Sequence, residues 1–240
     1  MKKAIIIGAT SGMGRETAKL LSAKGYAVGI AGRRMERLEA LQKELSSKSF
    51  LKQIDVSSPD SAVSLFQQMI CEMDGADIIV ICAGIVRPNL EADWEKDRDT
   101  IQTDVVGFAA IADAAVSCFR SQGHGHLVGI SSLSALVYSD RTNAYCASKA
   151  FVSSYLKGLR QLFRKSKGEY HVTEVLPGWV KTEMTQHADL SKVFWATTAE
   201  KAAEQIYDAI EKHKKKIYIS KRWRLIGILL SVLPERYKIK

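Results

Sequence analysis

The chain has 240 residues, 46% of them hydrophobic, and a formal net charge of +9 at pH 7. That length suffices for one full core, and no linker-like composition break, repeat or low-complexity tract argues for a second domain. The excess charge is confined to the end: from Lys212 onward ten Lys/Arg face the single Glu235, which leaves a body with 25 basic and 25 acidic residues and excludes a body-wide basic surface for nucleic acid.

Lys2 and Lys3 lead into the apolar run Ala4-Ile5-Ile6-Ile7, which Gly8 stops before it reaches the length of a signal-peptide core, so a cytoplasmic protein is expected. The run reads as a buried strand over 3–7. The turn Gly8-Ala9-Thr10-Ser11-Gly12-Met13-Gly14 follows, and a helical pattern over 13–24 begins at once. Strand, glycine turn and helix N-terminus make a phosphate cradle, because glycine lets backbone N–H groups approach a pyrophosphate at the positive end of the helix dipole. The spacing is GxxxGxG rather than GxGxxG. A second strand over 26–31 ends in Gly32-Arg33-Arg34, with no acid in place. Dinucleotide folds use an acid there for a free ribose 2′-hydroxyl and a basic residue for a 2′-phosphate. Arg33 offers such a phosphate a planar fork of donors.

Further strands are expected near 50–54, 77–82, 126–131, 170–176 and 217–219, and helices over 35–46, 60–73, 99–120, 143–165 and 198–213. This alternation predicts an α/β fold, a parallel sheet of about seven strands with helices on both faces, in one domain over 1–220. Cys71, Cys82, Cys118 and Cys146 form no CxxC, and His124, His126, His171, His187 and His213 show no zinc-type pairing with them, so no metal is expected.

Tyr145 and Lys149 stand four residues apart in Asn143-Ala144-Tyr145-Cys146-Ala147-Ser148-Lys149-Ala150. On a helix that spacing stacks a phenol and an ammonium on one face. A nearby positive charge favours phenolate, which draws the tyrosine toward neutrality and lets it exchange a proton with substrate. Ser131 and Ser132 follow the strand Leu127-Val128-Gly129-Ile130.

Taken together these motifs resemble the short-chain dehydrogenase/reductase family from about Lys3 to Tyr218. Gly8, Gly12 and Gly14 match its cofactor glycines, in a turn that also carries Thr10, Ser11 and Met13; Asp55-Val56 matches its adenine-binding acid. Cys82-Ala83-Gly84 stands where the family has NAG, Tyr145 to Lys149 fits YxxxK, and Pro177-Gly178-Trp179-Val180-Lys181-Thr182 fits PGxVxT. Ser132 precedes Tyr145 by thirteen residues, the family's spacing for its catalytic serine, which leaves Ser131 a structural role. The resemblance implies a Rossmann-like doubly wound fold and a cofactor that is NADP(H) rather than NAD(H), with Arg33 and Arg34 at its phosphate. It implies Tyr145 as the acid in carbonyl reduction and the base in alcohol oxidation. Ser132 would hold the substrate oxygen, Lys149 the tyrosine charge and the nicotinamide ribose, and Thr182 the carboxamide.

Three positions depart from the family pattern. Asp104 stands where an asparagine helps hold a water linked to the lysine, Ile7 replaces a threonine before the glycine turn, and Cys82 replaces the asparagine of NAG. Asp104 adds negative charge near Lys149 and retunes the proton relay. The segment 183–196 is expected to cover the pocket with Met184, Leu190, Val193, Phe194 and Trp195, residues that suit either a hydrophobic carbonyl or alcohol substrate or ordinary helix packing. A second reading keeps the fold as a cofactor-binding sensor or scaffold with little turnover. The family also implies a homodimer or homotetramer through helices around 104–120 and 145–164. In the tail, 221–240, the basic residues beside Leu225 to Leu233 suit either peripheral contact with an anionic membrane or packing back on the body, and fit nucleic acid poorly.

Overall fold

A computed structural model describes residues 1–186, 193, 195–220 and 222–232. Strand β1 (Lys3–Ile7) is central because Ala4 to Ile7 are apolar at every position and fully buried, which suits a strand covered on both faces. Around it lie β2 (Ala27–Gly32), β3 (Ser49–Gln53), β4 (Ile78–Ile81), β5 (His124–Ile130), β6 (Glu169–Pro177) and β9 (Lys216–Ile219) in the order β3-β2-β1-β4-β5-β6-β9, all parallel. Chain order reverses between β1 and β4. The crevice beyond the C-terminal ends of those two strands is therefore the switch point at which doubly wound sheets bind ligands.

Helices α1 (Gly12–Ala23), α2 (Met35–Glu44) and α7 (Ala199–Glu211) cover one face, burying Leu21, Leu38, Leu41 and Ile206 with Ile6, Ile30 and Val128. The other face takes α3 (Pro59–Met73), α5 (Phe108–Gln122) and α6 (Asn143–Arg164), with Phe66, Phe119, Val152 and Leu156 packed on Ile5, Ile79 and Leu127. Between α5 and α6, Tyr155 stacks on Phe151 at 5.2 Å and meets Phe108 edge-on at 6.2 Å, so part of the apolar surplus of α6 is used within the chain.

The expected helix over 99–120 starts earlier. Helix α4 (Trp94–Ile101) opens it, capped by Asp93, whose side chain accepts from the Glu95 N–H, and a π-helical turn (Gln102–Gly107) joins it to α5. A small pair, β7 (Val180–Lys181) and β8 (Thr197–Thr198), lies outside the main sheet. The tail expected after Ser220 forms α8 (Trp223–Val232), which folds back: the Trp223 indole donates to the Trp195 carbonyl at 3.3 Å and covers Gly178 so closely that a Cβ there would lie 2.5 Å from the ring. Its outer side exposes Leu225 and Leu229.

Candidate active site

Gly8 and Gly14 of the turn have no room for side chains. Gly8 has φ +93°, and a Cβ on it would lie 2.5 Å from the Ala83 N, while one on Gly14 would lie 2.2 Å from the Gly8 carbonyl. This brings the end of β1, the start of α1 and Cys82-Ala83-Gly84 into contact. Helix α1 starts without a side-chain cap or an acidic residue in its first turn, so its leading N–H groups and dipole suit an anion.

A cleft of about 450 Å³ opens over this turn, walled by Thr10, Ser11, Met13, Arg33, Val56 and Thr182 among others. Arg33 lies exposed at its rim with no acidic partner among the described residues. Arg34 is instead engaged: it donates from Nη2 to Thr10 Oγ1 and Ser11 Oγ, each at 3.0 Å, and from Nη1 to both carboxylate oxygens of Glu183 at 2.9 and 3.0 Å. Arg37 meets the same carboxylate at 2.7 Å. Arg37 and then Arg34 hold the Glu183 carboxyl down at about 2, so it is ionised throughout the neutral range. No motif or spacing marks Arg37 or Glu183, because their meeting depends on where the chain goes after β7.

Asp55 is turned to local work. Its Oδ1 accepts from the Ser57 N–H at 3.0 Å and the Ser57 hydroxyl at 2.7 Å, while its neighbours Ile54 and Val56 line the cleft. From the turn after β6, Thr182 reaches the cleft. Pro177, Gly178 and Val180 support it from behind, with the Gly178 N–H donating to the Ile219 carbonyl at 2.6 Å. Met184 also lines the cleft, Val193 and Trp195 lie near β8, and the Leu190 and Phe194 of the expected cover lie outside the described residues.

At the inner end of the cleft stands a chain of charged and polar groups. Asp104, on the π-helical turn, is 1% exposed and places Oδ2 3.0 Å from the Lys149 Nζ, itself on a residue 5% exposed. Its Oδ1 accepts from the Ile85 N–H at 2.8 Å. Gly84 lies against this pair, and a Cβ there would come within 2.9 Å of the ammonium. The Lys149 Nζ lies 5.4 Å from the centre of the Tyr145 ring, and Ser132 stands close enough to Tyr145 to favour its charged form. A π-helical turn inserts one extra residue per turn and re-aims the side chains on it, a device frequent at functional sites.

Burial opposes the charged form of Lys149, but Asp104 and then Tyr145 raise its pKa overall, so it is an ammonium. Tyr145 shifts up as well: burial is the largest cause, and Asp104 adds to it against the opposing pull of Lys149 and Ser132. The spacing alone suggested the opposite direction, because it showed the lysine and not the enclosure. The arrangement presents a protonated phenol next to a hydroxyl and an ammonium. Cys82 remains a thiol, since burial pushes its pKa up to about 11.

Ser131 has a structural task. It donates to the Lys149 carbonyl at 2.9 Å and meets the Ser153 hydroxyl at 3.0 Å; Ser153 in turn donates to buried Glu174, which faces Arg160 at 3.6 Å. Sequence reading did not identify Ser153, Arg160 or Glu174, since only the crossing of α6 over β5 and β6 joins them.

The family model for short chain dehydrogenases matches residues 2–193. An uncharacterized oxidoreductase of Myxococcus xanthus is 32% identical over 98% of this chain and 93% of its own. A short-chain type dehydrogenase/reductase from Mycobacterium marinum superposes with a TM-score of 0.83 at 26% identity, covering 92% of this chain and 95% of that one. A closed form of serine dehydrogenase complexed with NADP+ superposes with a TM-score of 0.80 at 25% identity, covering 90% of this chain and 94% of that one. Glycine turn, switch-point crevice and the Ser132, Tyr145 and Lys149 constellation thus accompany a match over most of the chain, which belongs to the short-chain dehydrogenase/reductase family of oxidoreductases.

Proposed function

We propose that the protein is an NADPH-dependent reductase of a hydrophobic carbonyl compound. The observation that carries this reading is Tyr145, kept as a phenol by burial and Asp104 with the Lys149 Nζ 5.4 Å from its ring centre. A protonated donor serves reduction. The reverse reaction needs a base, and the same environment opposes its formation. Bound NADPH would supply the hydride. The donor set fits it: the uncapped start of α1 for the pyrophosphate, and Arg33 at the rim, with no acid after β2, for the 2′-phosphate.

In this reading Tyr145 gives its hydroxyl proton to the substrate oxygen and Ser132 holds that oxygen in line by a hydrogen bond. Lys149 supplies positive charge as the phenolate forms, and Asp104 fixes the ammonium in place. Met184 at the cleft supports an apolar substrate surface.

The direct Asp104–Lys149 contact also favours a second reading, a cofactor-binding sensor with little turnover, because it engages the lysine on which the relay depends. Fluorescence titration with NADPH and NADH, followed by a carbonyl panel, separates the two. The reductase reading expects NADPH to bind tighter, with Arg33→Ala losing roughly 1.5–3 kcal/mol of that preference, and NADPH oxidation with at least one apolar carbonyl. Equal affinities overturn the cofactor assignment. Tight binding without turnover on any member of the panel favours the sensor.

A further inference from the structure

We propose that Glu169, His171 and His213, with His126 behind them, bind one divalent transition-metal ion of the zinc class at the N-terminal ends of the strands, opposite the cleft. Glu169 and His171 are two residues apart, while His126 and His213 are each more than forty residues from them. The β5–β6 register sets His126 beside His171, and the chain leaving α7 brings His213 over them. The His171 and His213 rings stack at 3.7 Å, and the His126 ring centre lies 5.5 Å from each. One donor atom from each of Glu169, His171 and His213 falls within 4.8 Å of the others. Donors held at about 2.0–2.2 Å from a tetrahedral zinc lie roughly 3.4 Å apart. A small side-chain rotation closes the set, and exposed Glu169 is free to make it.

Two ring nitrogens here are buried without a hydrogen-bond partner, His126 Nδ1 and His171 Nε2. Such orphans are rare in folded proteins and call for an ion or a water. The His126 tautomer follows from its neighbours. The Thr173 hydroxyl proton goes to the Lys214 carbonyl at 2.5 Å, so Thr173 Oγ1 can only accept from His126 Nε2 at 2.7 Å. Nδ1 is then the bare lone pair. A histidine whose other nitrogen is anchored by a hydrogen bond is how proteins orient metal ligands.

The His171 Nε2 lies 3.6 Å from Glu169 Oε1, beyond a hydrogen bond. His213 itself has φ +46°, the left-handed position past the end of α7 that glycine or asparagine ordinarily fills; the Lys214 N–H closes the helix there on the Ala209 carbonyl at 2.9 Å. A side chain kept at a strained turn and laid over two other imidazoles suits a ligand. Imidazoles with one carboxylate select zinc, cobalt or nickel over the all-oxygen preference of magnesium and calcium.

The test uses tag-free, chelator-treated full-length protein titrated with zinc sulfate by calorimetry, with cobalt(II) absorption as a second probe. The expected result is one saturable equivalent per chain, a tetrahedral cobalt spectrum and a zinc-dependent rise in Tm. His213→Gly suits the backbone, so it should fold, raise the metal-free Tm and still bind NADPH while losing the zinc equivalent; Glu169→Gln should weaken zinc by about tenfold or more. Absence of saturable binding, or a zinc equivalent that survives in His213→Gly, overturns the proposal.

Discussion

Near its start, α6 sets Lys149 against Asp104 at 3.0 Å, and eleven residues later, about three helical turns, it sets Arg160 against Glu174 at 3.6 Å. Both acids are shut away from water, at 1% and 0% exposure, yet the two pairs differ in where the positive charge can go. Arg160 also donates to the Lys215 carbonyl at 3.0 Å, so its guanidinium spreads over several acceptors and ties α6 to β6 and to the chain entering β9. Lys149 is a compact charge under Gly84, with Tyr145 in its field. A charge shared among fixed acceptors braces a fold. A charge held by one acid beside a phenol sets proton chemistry, and the chain Ser131–Ser153–Glu174 joins the two ends through the Lys149 carbonyl.

Substitutions separate the ends. The largest effect on rate is expected from Tyr145→Phe, which removes only the proton donor: turnover on a carbonyl substrate should drop by about 10²–10⁴, with NADPH affinity by fluorescence nearly unchanged. Turnover close to wild type would refute the assigned chemistry. At the bracing end, Glu174→Ala leaves Arg160 without its buried partner and should lower unfolding free energy by about 3–5 kcal/mol, read by denaturant titration, with activity per folded molecule retained. Loss of activity without loss of stability would mean that the two ends are not separable.

The smallest change is expected from Asp104→Asn, which keeps the shape and removes a charge. Asp104 raises both Lys149 and Tyr145, so its loss lowers both. Reduction needs the phenol and fades as pH rises through the tyrosine pKa. In the variant, that fading should begin at lower pH, and alcohol oxidation should switch on at lower pH. Profiles of kcat/KM in both directions measure this, and an unmoved profile would leave Asp104 a packing residue alone.

Much of this was legible in the chain. Ala4 to Ile7 followed by a glycine turn announces a central strand and a phosphate cradle, and the order of apolar runs yields the sheet. Helix α4 was not, because Trp94-Glu95-Lys96-Asp97-Arg98-Asp99 has no apolar face and Thr100 is its one buried position. Asp104 could be picked out as a departure from a pattern, but its contact with Lys149 depends on a π-helical turn that no periodicity reveals. Arg33 and Arg34 looked alike as neighbours; Glu183, 149 residues beyond Arg34, distinguishes them. Spacing along the chain also cannot show the alignment of His126 with His171 across two strands.

The seat of Trp223 on Gly178 makes the two ends of the polypeptide unequal as points of attachment. Met1 is exposed and precedes the central β1 at the end of the sheet away from the cleft, so a fusion or surface tether there pulls on nothing near the reacting groups. A load applied beyond α8 passes through an indole resting on the turn that carries Thr182. For immobilised enzyme or a biosensor, the N-terminal linkage should preserve response, and the C-terminal one should make it depend on tension.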